Sequence, residues 1–323
     1  MSRWFAFPSE LRQSGVLGIN RRNLEYILET NPRRCYPRVD NKLLTKQVCL
    51  EHQIPVPETY CVAHSHSDIR TLPDHLNRRQ DFVVKPSRGA AGRGILVVAE
   101  RTGEVYLTPS GRPMRWSELK YHLATIVSGL HSLGGRPDKA IIEQRIVTHP
   151  SLAAVSVGGT PDIRVVLSHG VPVMAMVRLP TSISGGKANL HQGAIAAAID
   201  LTTGRTFGGV CQNRAIDTHP DTQHPIAGIA LPDWRGLIDA SMRLSDALGL
   251  GYLGVDFVID AAAGPVVLEA NARPGLAIQV AHRAGLRPRL EWVRSLPRVD
   301  RTPDERWGLI EEMTARTAPV SYS

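Results

Sequence analysis

The stretch that most restricts the fold of this chain is VVKPSRGAAGRGILVV, residues 83–98. Aliphatic and β-branched residues on both sides predict two short strands, so the glycines lie in a loop between strands. A P-loop carries its lysine after the glycines, whereas Lys85 precedes them. A dinucleotide-binding fingerprint opens a helix, whereas ILVV is typical of a strand. The stretch therefore predicts a flexible strand–loop–strand hairpin.

Such a hairpin has two interpretations. Glycines allow backbone N–H groups to come close to phosphate oxygens, and Lys85 at the end of the first strand could reach the same phosphates as a point charge. The loop could equally be the ordinary tip of a surface hairpin. The stretch by itself does not decide between them.

A second hairpin, GVDFVIDAAAGPVVLEANARPG, brings two acids together. If its loop is AAAG, with Asp260 opposite Pro265, then Asp256 lies opposite Glu269 and Asn271 points to the same face. Two carboxylates in that position repel each other without a cation. Hard oxygen donors suit Mg²⁺, so the set predicts a metal site. The alternative is the exposed polar face of an antiparallel hairpin.

The remaining elements mix helices and strands without βαβ regularity, which favours the α+β class. Strands are predicted in AIIEQRIV, DIRVVLSHG and VPVMAMVRL. The predicted helices are 20–30, capped by Asn20; 41–52, capped by Asp40, with Leu43, Leu44, Val48 and Leu50 as its apolar face; one from Ser117 to a stop at Gly134, burying Leu119, Leu123, Ile126, Val127 and Leu130; and one from Asp233 to a stop at Gly249.

The charge balance is basic, with 38 lysines and arginines against 30 acids and a net charge of +8. The arginines are scattered, without a basic run or interleaved aromatic residues. This scatter favours a solvated surface over a nucleic-acid face, and it suits a protein that handles ATP and carboxylates. The length of 323 residues predicts about two domains.

The four cysteines show neither CxxC spacing nor the density of a disulfide framework, so free thiols in a reducing compartment are expected. No apolar run is long enough for a signal peptide or a membrane span. We therefore expect a cytoplasmic protein without a membrane partner.

Together the hairpins and the segments between them resemble the ATP-grasp superfamily. The resemblance is to its α-L-glutamate ligase-like or sugar-transfer-associated branch, which is related to the glutamate ligase that modifies a ribosomal protein. The similar segments are DNKLLTKQVCLEHQIPVPET, FVVKPSRGAAGRGI, IIEQRI, DIRVVL, KANLHQGA, GVDFVID and VVLEANARPG. Each is weak evidence alone, but their order and spacing match the family. The resemblance implies an α+β ATP-grasp fold, with ATP held between two subdomains.

The resemblance also implies a role for each candidate site residue. Lys42 and Lys85 would reach the ATP phosphates; the backbone from Ser87 to Gly94, with Arg88, Gly89 and Gly92, would cover them; and Lys187 would contact phosphate or simply be exposed. Glu143, Gln144, Arg145 and Ile146 would hold adenine, and Asp162 the ribose. Asp256, Glu269 and Asn271 would ligate one or two Mg²⁺, with Mn²⁺ as a substitute. Arg178, Asn189 and Arg273 would face the transferring phosphate or the acyl intermediate.

Four segments are expected from the resemblance: 1–40 as a reduced pre-ATP region, 41–142 as the first subdomain, 143–300 as the second subdomain with the magnesium site, and 301–323 as a tail. The family usually has about a hundred residues before the lysine helix, too many for the first segment to match. HQGA replaces a double glycine, and NARPG carries an arginine where the ribosomal-protein-modifying enzyme has a small residue. The stretch 195–234 is also longer than in that enzyme. The short first segment leaves the acceptor open, and the other departures favour the ligase-like branch.

The resemblance implies an ATP-dependent carboxylate–amine ligase that forms an amide through an acyl phosphate. Such an enzyme would add glutamate or another amino acid to a small molecule, a peptide or a protein, with no nucleic-acid partner. Phosphoryl transfer needs positioning and charge neutralisation rather than a protein nucleophile, and the sequence carries no GxSxG or HExxH motif. The alternatives are an inactive or regulatory ATP-binding module of the same fold and an ATP-grasp phosphotransferase.

Overall fold

The computed structural model describes residues 7–89, 92–132 and 134–317. The described strands are β1 Thr59–Ala63, β2 Phe82–Pro86, β3 Leu96–Val98, β4 Glu100–Thr102, β5 Val105–Leu107, β6 Pro113–Arg115, β7 Ala140–Glu143, β8 Asp162–Ser168, β9 Val171–Leu179, β10 Ile195–Ile199, β11 Thr206–Cys211, β12 Arg214–Ile216, β13 Tyr252–Asp260 and β14 Gly264–Asn271. They form sheets of four, seven and three strands.

The helices surround these sheets. They are α1 Pro8–Gln13, α2 Ile19–Arg21, α3 Pro37–Asp40, α4 Lys42–Glu51, α5 His66–Leu76, α6 Trp116–Val127, α7 Pro150–Ala153, α8 Trp234–Leu248, α9 Ile278–His282, α10 Arg287–Ser295 and α11 Pro303–Arg316. A π-helical segment, Arg22–Leu28, extends α2, and short 3₁₀ turns cover Arg33–Cys35 and Leu190–Gln192. The mixture confirms the predicted α+β class.

The four-stranded sheet carries the glycine-rich hairpin and has the order β1-β7-β2-β3. Val83 of β2 pairs with Val97 of β3, which confirms the predicted strand–loop–strand arrangement. Helix α6 covers this sheet, and its Leu119 and Leu123 are fully buried in the same core as Phe82. The apolar face of α6 thus fixes the strands on which the hairpin stands.

The seven-stranded sheet is antiparallel throughout, with the order β12-β11-β10-β9-β8-β13-β14. Helix α8 packs against β8, β9, β13 and β14. Asp233 caps α8 through a hydrogen bond from the Gly236 amide, and Gly249 ends it in the left-handed conformation, as the sequence predicts. This sheet forms the larger core of the protein.

The hairpin of β13 and β14 differs from the prediction near its turn. Asp260 lies opposite Gly264 rather than Pro265, so the loop has three residues. Gly264 has a φ of +72°, the left-handed conformation that closes such loops. The register then shifts by one residue between Asp256 and its neighbour Phe257. The shift restores the predicted pairing, so that Asp256 lies opposite Glu269.

Helix α4 is predicted in the right place but with the wrong cap and the wrong buried face. Asn41, not Asp40, caps the helix, because its side chain accepts a hydrogen bond from the Leu43 amide at 3.0 Å. Leu44 and Leu50 of the predicted apolar face are exposed. The side chains that α4 buries are Thr45, Lys46 and Cys49. The helix therefore turns a partly polar face inward, where its buried lysine meets a carboxylate.

Two other helix ends also differ from the prediction. Helix α2 follows Gly18 instead of being capped by Asn20, and α6 follows Arg115 instead of Ser117. Helix α6 ends at Val127, so Leu130 lies beyond it and is exposed. Helix ends are read from weak local signals, whereas the buried stripe within α6 comes from strong periodicity.

The segment before α4 packs with the larger core, not with the four-stranded sheet. Leu17, Tyr26 and Ile27 are buried in that core, and so are Cys49 of α4 and Trp307 of α11. The predicted segment boundaries stay predictions, and residues 1–6 and 318–323 of the two terminal segments lie outside the described residues.

All four cysteines are free thiols, three buried and Cys61 half-buried. Among the described helices, none is long and apolar enough to span a membrane.

Candidate functional site

The glycine-rich loop is tied to its surroundings at both ends. Lys42, the first residue of α4, donates a hydrogen bond from Nζ to the Gly89 carbonyl at 2.6 Å. At the far end, the Gly94 carbonyl lies 3.0 Å from His122 Nε2 of α6. Ala90 and Ala91, within the predicted phosphate-covering backbone, lie outside the described residues. The loop therefore spans from the lysine helix to the helix that supports its own sheet.

Two of its glycines are required by close packing. A Cβ on Gly89 would lie 2.2 Å from Pro86 Cγ. A Cβ on Gly94, which has a φ of +75°, would lie 2.7 Å from His131 Cγ. At Gly92 the surroundings are open, and glycine is favoured by a φ of +71°. Neighbouring atoms therefore exclude a side chain at Gly89 and Gly94, and the positive φ disfavours one at Gly92.

Asp138, which the sequence reasoning missed, anchors the base of this loop. Its carboxylate accepts hydrogen bonds from Ser87 Oγ at 2.5 Å, from the Arg88 amide at 3.0 Å and from Ser132 Oγ at 2.7 Å. These bonds hold the pKa of Asp138 below its usual range, although burial alone would raise it. The predicted residues Ser87 and Arg88 are therefore fixed by a charged acceptor from the loop before β7.

A buried triad lies beneath the loop. The Glu143 carboxylate is 2.5 Å from Lys85 Nζ and 2.5 Å from Lys46 Nζ. Lys46 also donates to the Pro57 carbonyl and the Thr59 hydroxyl. Burial raises the pKa of Glu143, but the two lysines outweigh it and the pKa lies below its usual range. The triad has one more positive charge than negative, so it attracts anions to the two central strands of the four-stranded sheet, β2 and β7.

The second cluster lies on the seven-stranded sheet, where neighbouring strands alternate acids and arginines. Arg164 of β8 donates two hydrogen bonds, of 2.7 and 2.6 Å, to the carboxylate of Asp256 on β13. Arg178 of β9 pairs with Asp162 through both carboxylate oxygens and also reaches Asp256 at 3.2 Å. Each partner is nearly buried, so two positive and two negative charges balance away from water.

The electrostatics of this cluster separate its two acids. Burial raises the pKa of Asp256, but Arg164 and Arg178 outweigh it and bring the pKa below its usual range. Among the described residues, Asp162 is hydrogen-bonded by Arg178 alone, and burial together with the charge of Asp256 raises its pKa. Asp256 is the more firmly ionised of the two.

Glu269 and Asn271 form the open edge of this cluster. Asn271 donates its amide hydrogens to Glu269 at 3.1 Å and to Asp256 at 3.4 Å. Lys42 Nζ lies 3.8 Å from Glu269 Oε2, and the Glu269 side chain is 37% exposed. Burial, together with the nearby charge of Lys85, lowers the pKa of Lys42, and Glu269 opposes that shift. Lys42 thus contacts both the glycine-rich loop and the acidic edge.

The predicted magnesium ligands are brought together, but they are not equivalent. Glu269 and the Asn271 amide oxygen offer hard oxygen atoms that no guanidinium contacts among the described residues, and they fit a divalent ion. Both oxygens of Asp256 are taken by arginines. Within the part of the chain that the structure describes, no group of three or more histidines, cysteines or acids could hold a metal.

The residues predicted to hold adenine are spread around the end of β7. Glu143 faces the two lysines. The Gln144 amide donates to the Glu58 carbonyl at 2.8 Å, Arg145 points to Asp81 at 3.4 Å, and Ile146 is half-buried. Asp162, predicted at the ribose, lies in the acid–arginine cluster, where Arg178 holds its carboxylate. Contacts of these residues with a nucleotide stay predictions.

The remaining candidates lie outside the regular helices and strands. Asn189 caps the 3₁₀ turn Leu190–Gln192 by accepting from the His191 amide, and Lys187 is exposed. Arg273 is exposed just beyond β14, with its guanidinium carbon 4.7 Å from the centre of the Tyr36 ring. None of the three forms an ion pair with another described residue.

A family model described as sugar-transfer associated ATP-grasp matches residues 21–295. The chain belongs to this family. The match includes both lysine-bearing elements, the glycine-rich loop and the β13–β14 hairpin, so the ATP-grasp fold predicted from these segments is confirmed. The glycine-rich loop, Lys42 and the acidic edge formed by Glu269 and Asn271 therefore make up the candidate functional site.

Solved structures with the ATP-grasp fold resemble this chain at low identity. The ATP-grasp ligase PsnB complexed with minimal precursor is 15% identical with a TM-score of 0.42, covering 89% of this chain and 64% of that chain. D-alanine–D-alanine ligase from Bacillus anthracis is 15% identical with a TM-score of 0.46, covering 88% and 70%. D-cycloserine synthetase DcsG is 14% identical with a TM-score of 0.44, covering 88% and 73%.

This ATP-grasp chain therefore spans less than two thirds of the length of PsnB. A comparison with curated protein sequences found no match.

Sequence reasoning missed Lys46, Asp138 and Arg164. The signal for Lys46 was present, because it lies four residues after Lys42 and so on the same face of a predicted helix. Arg164 lies two residues after Asp162 on a predicted strand, so both side chains point to the same face. Its partner Asp256 lies on a strand distant in sequence. Asp138 is in a loop and has no periodic signal.

Proposed function

We propose that the protein is an ATP-dependent carboxylate–amine ligase. The observation that carries the proposal is the position of Lys42, which contacts the glycine-rich loop at Gly89 and the acidic edge at Glu269. The ammonium group of Lys42 thus contacts both the loop that would cover the phosphates and the acidic edge of Glu269 and Asn271, which would hold the metal ion. That arrangement suits a phosphate chain lying between the two.

The charges around this position support binding of a nucleotide triphosphate. The triad of Lys46, Glu143 and Lys85 keeps one excess positive charge beneath the loop, and Lys42 adds another. Bare backbone at the glycines allows close approach of phosphate oxygens. Glu269 and Asn271 would hold Mg²⁺ there. Bound Mg²⁺ would neutralise charge on the phosphate oxygens.

In the proposed reaction, an oxygen of the substrate carboxylate attacks the γ-phosphorus of ATP, and the bond from that phosphorus to ADP breaks. An amine nitrogen then attacks the acyl carbon, the bond from carbon to phosphate oxygen breaks, and the amine proton leaves to solvent. The protein's part is positioning and charge neutralisation. Arg178 is held by two acids, so Asp162 and Asp256 orient it within the cleft wall. Closure of the loop would exclude water from the acyl phosphate.

The test is ADP release measured over a panel of amino acids and of amine acceptors, with mass spectrometry of the products. A ligase gives ADP, phosphate and an amide whose mass equals the sum of the two substrates less water. A phosphorylated product without an amide would instead indicate a phosphotransferase. ATP binding without turnover on any combination would indicate a regulatory module.

Glu269→Gln and Lys85→Met separate the two halves of the proposed site. Glu269→Gln should lower the apparent affinity for Mg²⁺, and Lys85→Met should weaken ATP binding. If Glu269→Gln leaves the turnover unchanged, the metal edge is not part of the site. Glu104→Gln, at an exposed turn between β4 and β5, is a matched control.

A further inference from the structure

The segment before α4 makes three separate contacts with one short loop, residues 272–274. Arg22 Nη1 donates to the Pro274 carbonyl at 2.8 Å, and the Asn31 amide donates to the Ala272 carbonyl at 3.3 Å. Tyr36 lies against the Arg273 guanidinium. We call these three side chains, Arg22, Asn31 and Tyr36, the N-terminal clamp. The Ala272–Arg273 peptide group, the Pro274 carbonyl one peptide further on, and the Arg273 side chain therefore all contact the same segment.

The clamp is itself rigidly held. Arg22 and Asn31 are 9% and 4% exposed. Asn31 also exchanges hydrogen bonds with the Tyr252 amide and carbonyl, each at 2.8 Å, which locks it to β13. A buried guanidinium and a buried amide with satisfied hydrogen bonds cannot move without leaving polar groups unpaired. The larger core therefore fixes the positions of Arg22 and Asn31, and these two side chains fix the loop that carries Arg273.

Arg273 differs from the other arginines of the cleft. Arg164 and Arg178 use their donors on Asp162 and Asp256. Arg273 is exposed and makes no hydrogen bond or ion pair with any other described residue, and its guanidinium lies over the Tyr36 ring. An aromatic face holds a guanidinium plane by cation–π attraction and leaves its N–H edges free.

Arg273 lies on the chain directly after the acidic edge formed by Glu269 and Asn271. Asn271, two residues before Arg273, contacts Glu269, which faces Lys42. Tyr36 precedes α3, and α3 and α4 both pack against β14. A planar fork with free donors matches the two oxygens of a carboxylate, which it can bind in a bidentate manner.

We propose that Arg273 binds a carboxylate of the second substrate, and that Tyr36 is the positioning residue that orients it. The inference rests on the proposed ligase function and assigns to the N-terminal segment a part of the acceptor site. The other source of anionic oxygens in the same cleft is the phosphate chain of ATP. Separate titrations of nucleotide and carboxylate distinguish the two.

The experiment is isothermal titration calorimetry on the full chain. Mg·ADP is titrated first, and succinate, as the carboxylate probe, is then titrated into the protein saturated with Mg·ADP. Wild type is expected to bind both. Arg273→Gln should weaken succinate binding at least about tenfold, because a charge-assisted bidentate contact is lost. Tyr36→Leu should weaken it about threefold to fivefold, the range of an exposed cation–π contact.

Conservative and matched variants separate positioning from folding. Tyr36→Phe keeps the ring face and should restore succinate affinity to within about twofold of wild type. Arg235→Gln removes another exposed arginine that lies over an aromatic ring, Trp307 of α11, and that also pairs with Asp304; it should leave succinate binding unchanged. Affinity for Mg·ADP should be the same in all four variants.

Each other outcome overturns the inference in an identifiable way. Succinate binding that is absent from wild type, or unaffected by Arg273→Gln, excludes the carboxylate role. Loss of Mg·ADP affinity in Arg273→Gln would assign the arginine to ATP instead. Equal losses in Tyr36→Leu and Tyr36→Phe would contradict orientation by the ring face. Wild type that fails to bind Mg·ADP would contradict the proposed function itself.

Discussion

Lys46 and Lys85 reach the same carboxylate from two elements that are distant in sequence. Lys46 belongs to α4 and Lys85 to β2, and each ammonium lies 2.5 Å from Glu143 on β7. All three side chains are at least nine-tenths buried. Burial costs each of these groups solvation energy, so the three charges depend on one another.

Removal of Glu143 should therefore destabilise the protein more than removal of Lys46. Glu143→Gln leaves two buried ammonium groups without a counter-ion, and we expect a loss of about 3–5 kcal/mol in the free energy of unfolding. Lys46→Met leaves the Glu143–Lys85 pair neutral, so we expect a loss smaller by at least about 1 kcal/mol. Urea denaturation monitored by circular dichroism measures both. A larger loss for Lys46→Met would contradict the charge balance described for the triad.

Asp138 should control how often the base of the glycine-rich loop opens. Asp138→Asn replaces a charged acceptor of four hydrogen bonds with a neutral amide, and such bonds contribute about 1.5–3 kcal/mol each. We expect hydrogen exchange in a peptide covering residues 82–89 to accelerate about tenfold or more, since local opening sets the exchange rate. Asp74→Asn, on the exposed face of α5, is the matched control. Unchanged exchange in Asp138→Asn would show that the loop is held by other contacts.

His282 should make stability depend on pH. Its Nε2 lies 2.7 Å from the Ala175 carbonyl, and burial lowers its pKa from 6.5 to about 4. Because the unfolded chain then binds a proton at higher pH than the folded chain, stability is full above about pH 6.5 and falls as the pH drops toward 4. The loss from this one group amounts to about 3 kcal/mol.

His282→Gln isolates that contribution, because glutamine keeps a donor for the carbonyl but does not titrate. The difference in unfolding free energy between wild type and His282→Gln should shift by up to about 3 kcal/mol against wild type between pH 7 and pH 4. Denaturation curves at half-unit intervals give this difference. Parallel pH profiles for the two proteins would exclude His282 as the source.

The site was predictable from sequence where its residues are neighbours in sequence or lie across one hairpin. Asp256 and Glu269 face each other as predicted even though the predicted turn is wrong by one residue, because the register shift after Asp256 compensates. Lys42 and Lys85 were predictable because each lies in a segment that resembles the family, DNKLLTKQVCLEHQIPVPET and FVVKPSRGAAGRGI. Arg164 could not be assigned its partner, since the pairing of β8 with β13 joins strands separated by a long stretch of chain. The N-terminal contacts with residues 272–274 also depend on tertiary packing.

The buried pair of Arg164 and Asp256 should contribute to the free energy of unfolding, and substitution of Arg164 tests this. Arg164→Met leaves Asp162 and Asp256 to share Arg178, so one buried negative charge is uncompensated. We expect a loss of about 3–5 kcal/mol in the free energy of unfolding.

The double variant Arg164→Met with Asp256→Asn restores the balance of one arginine and one acid. It should therefore be more stable than Arg164→Met alone by about 1–3 kcal/mol, a positive coupling that a double-mutant cycle measures. Arg243→Met, on the outer side of α8, controls for the loss of an arginine as such, because its guanidinium donates only to the His52 carbonyl among described residues. Additive losses in the cycle would mean that Asp256 does not depend on Arg164. Asp256 would then keep its contact with Arg178 through one oxygen, and its other oxygen would be open to join Glu269 and Asn271 in holding a metal ion.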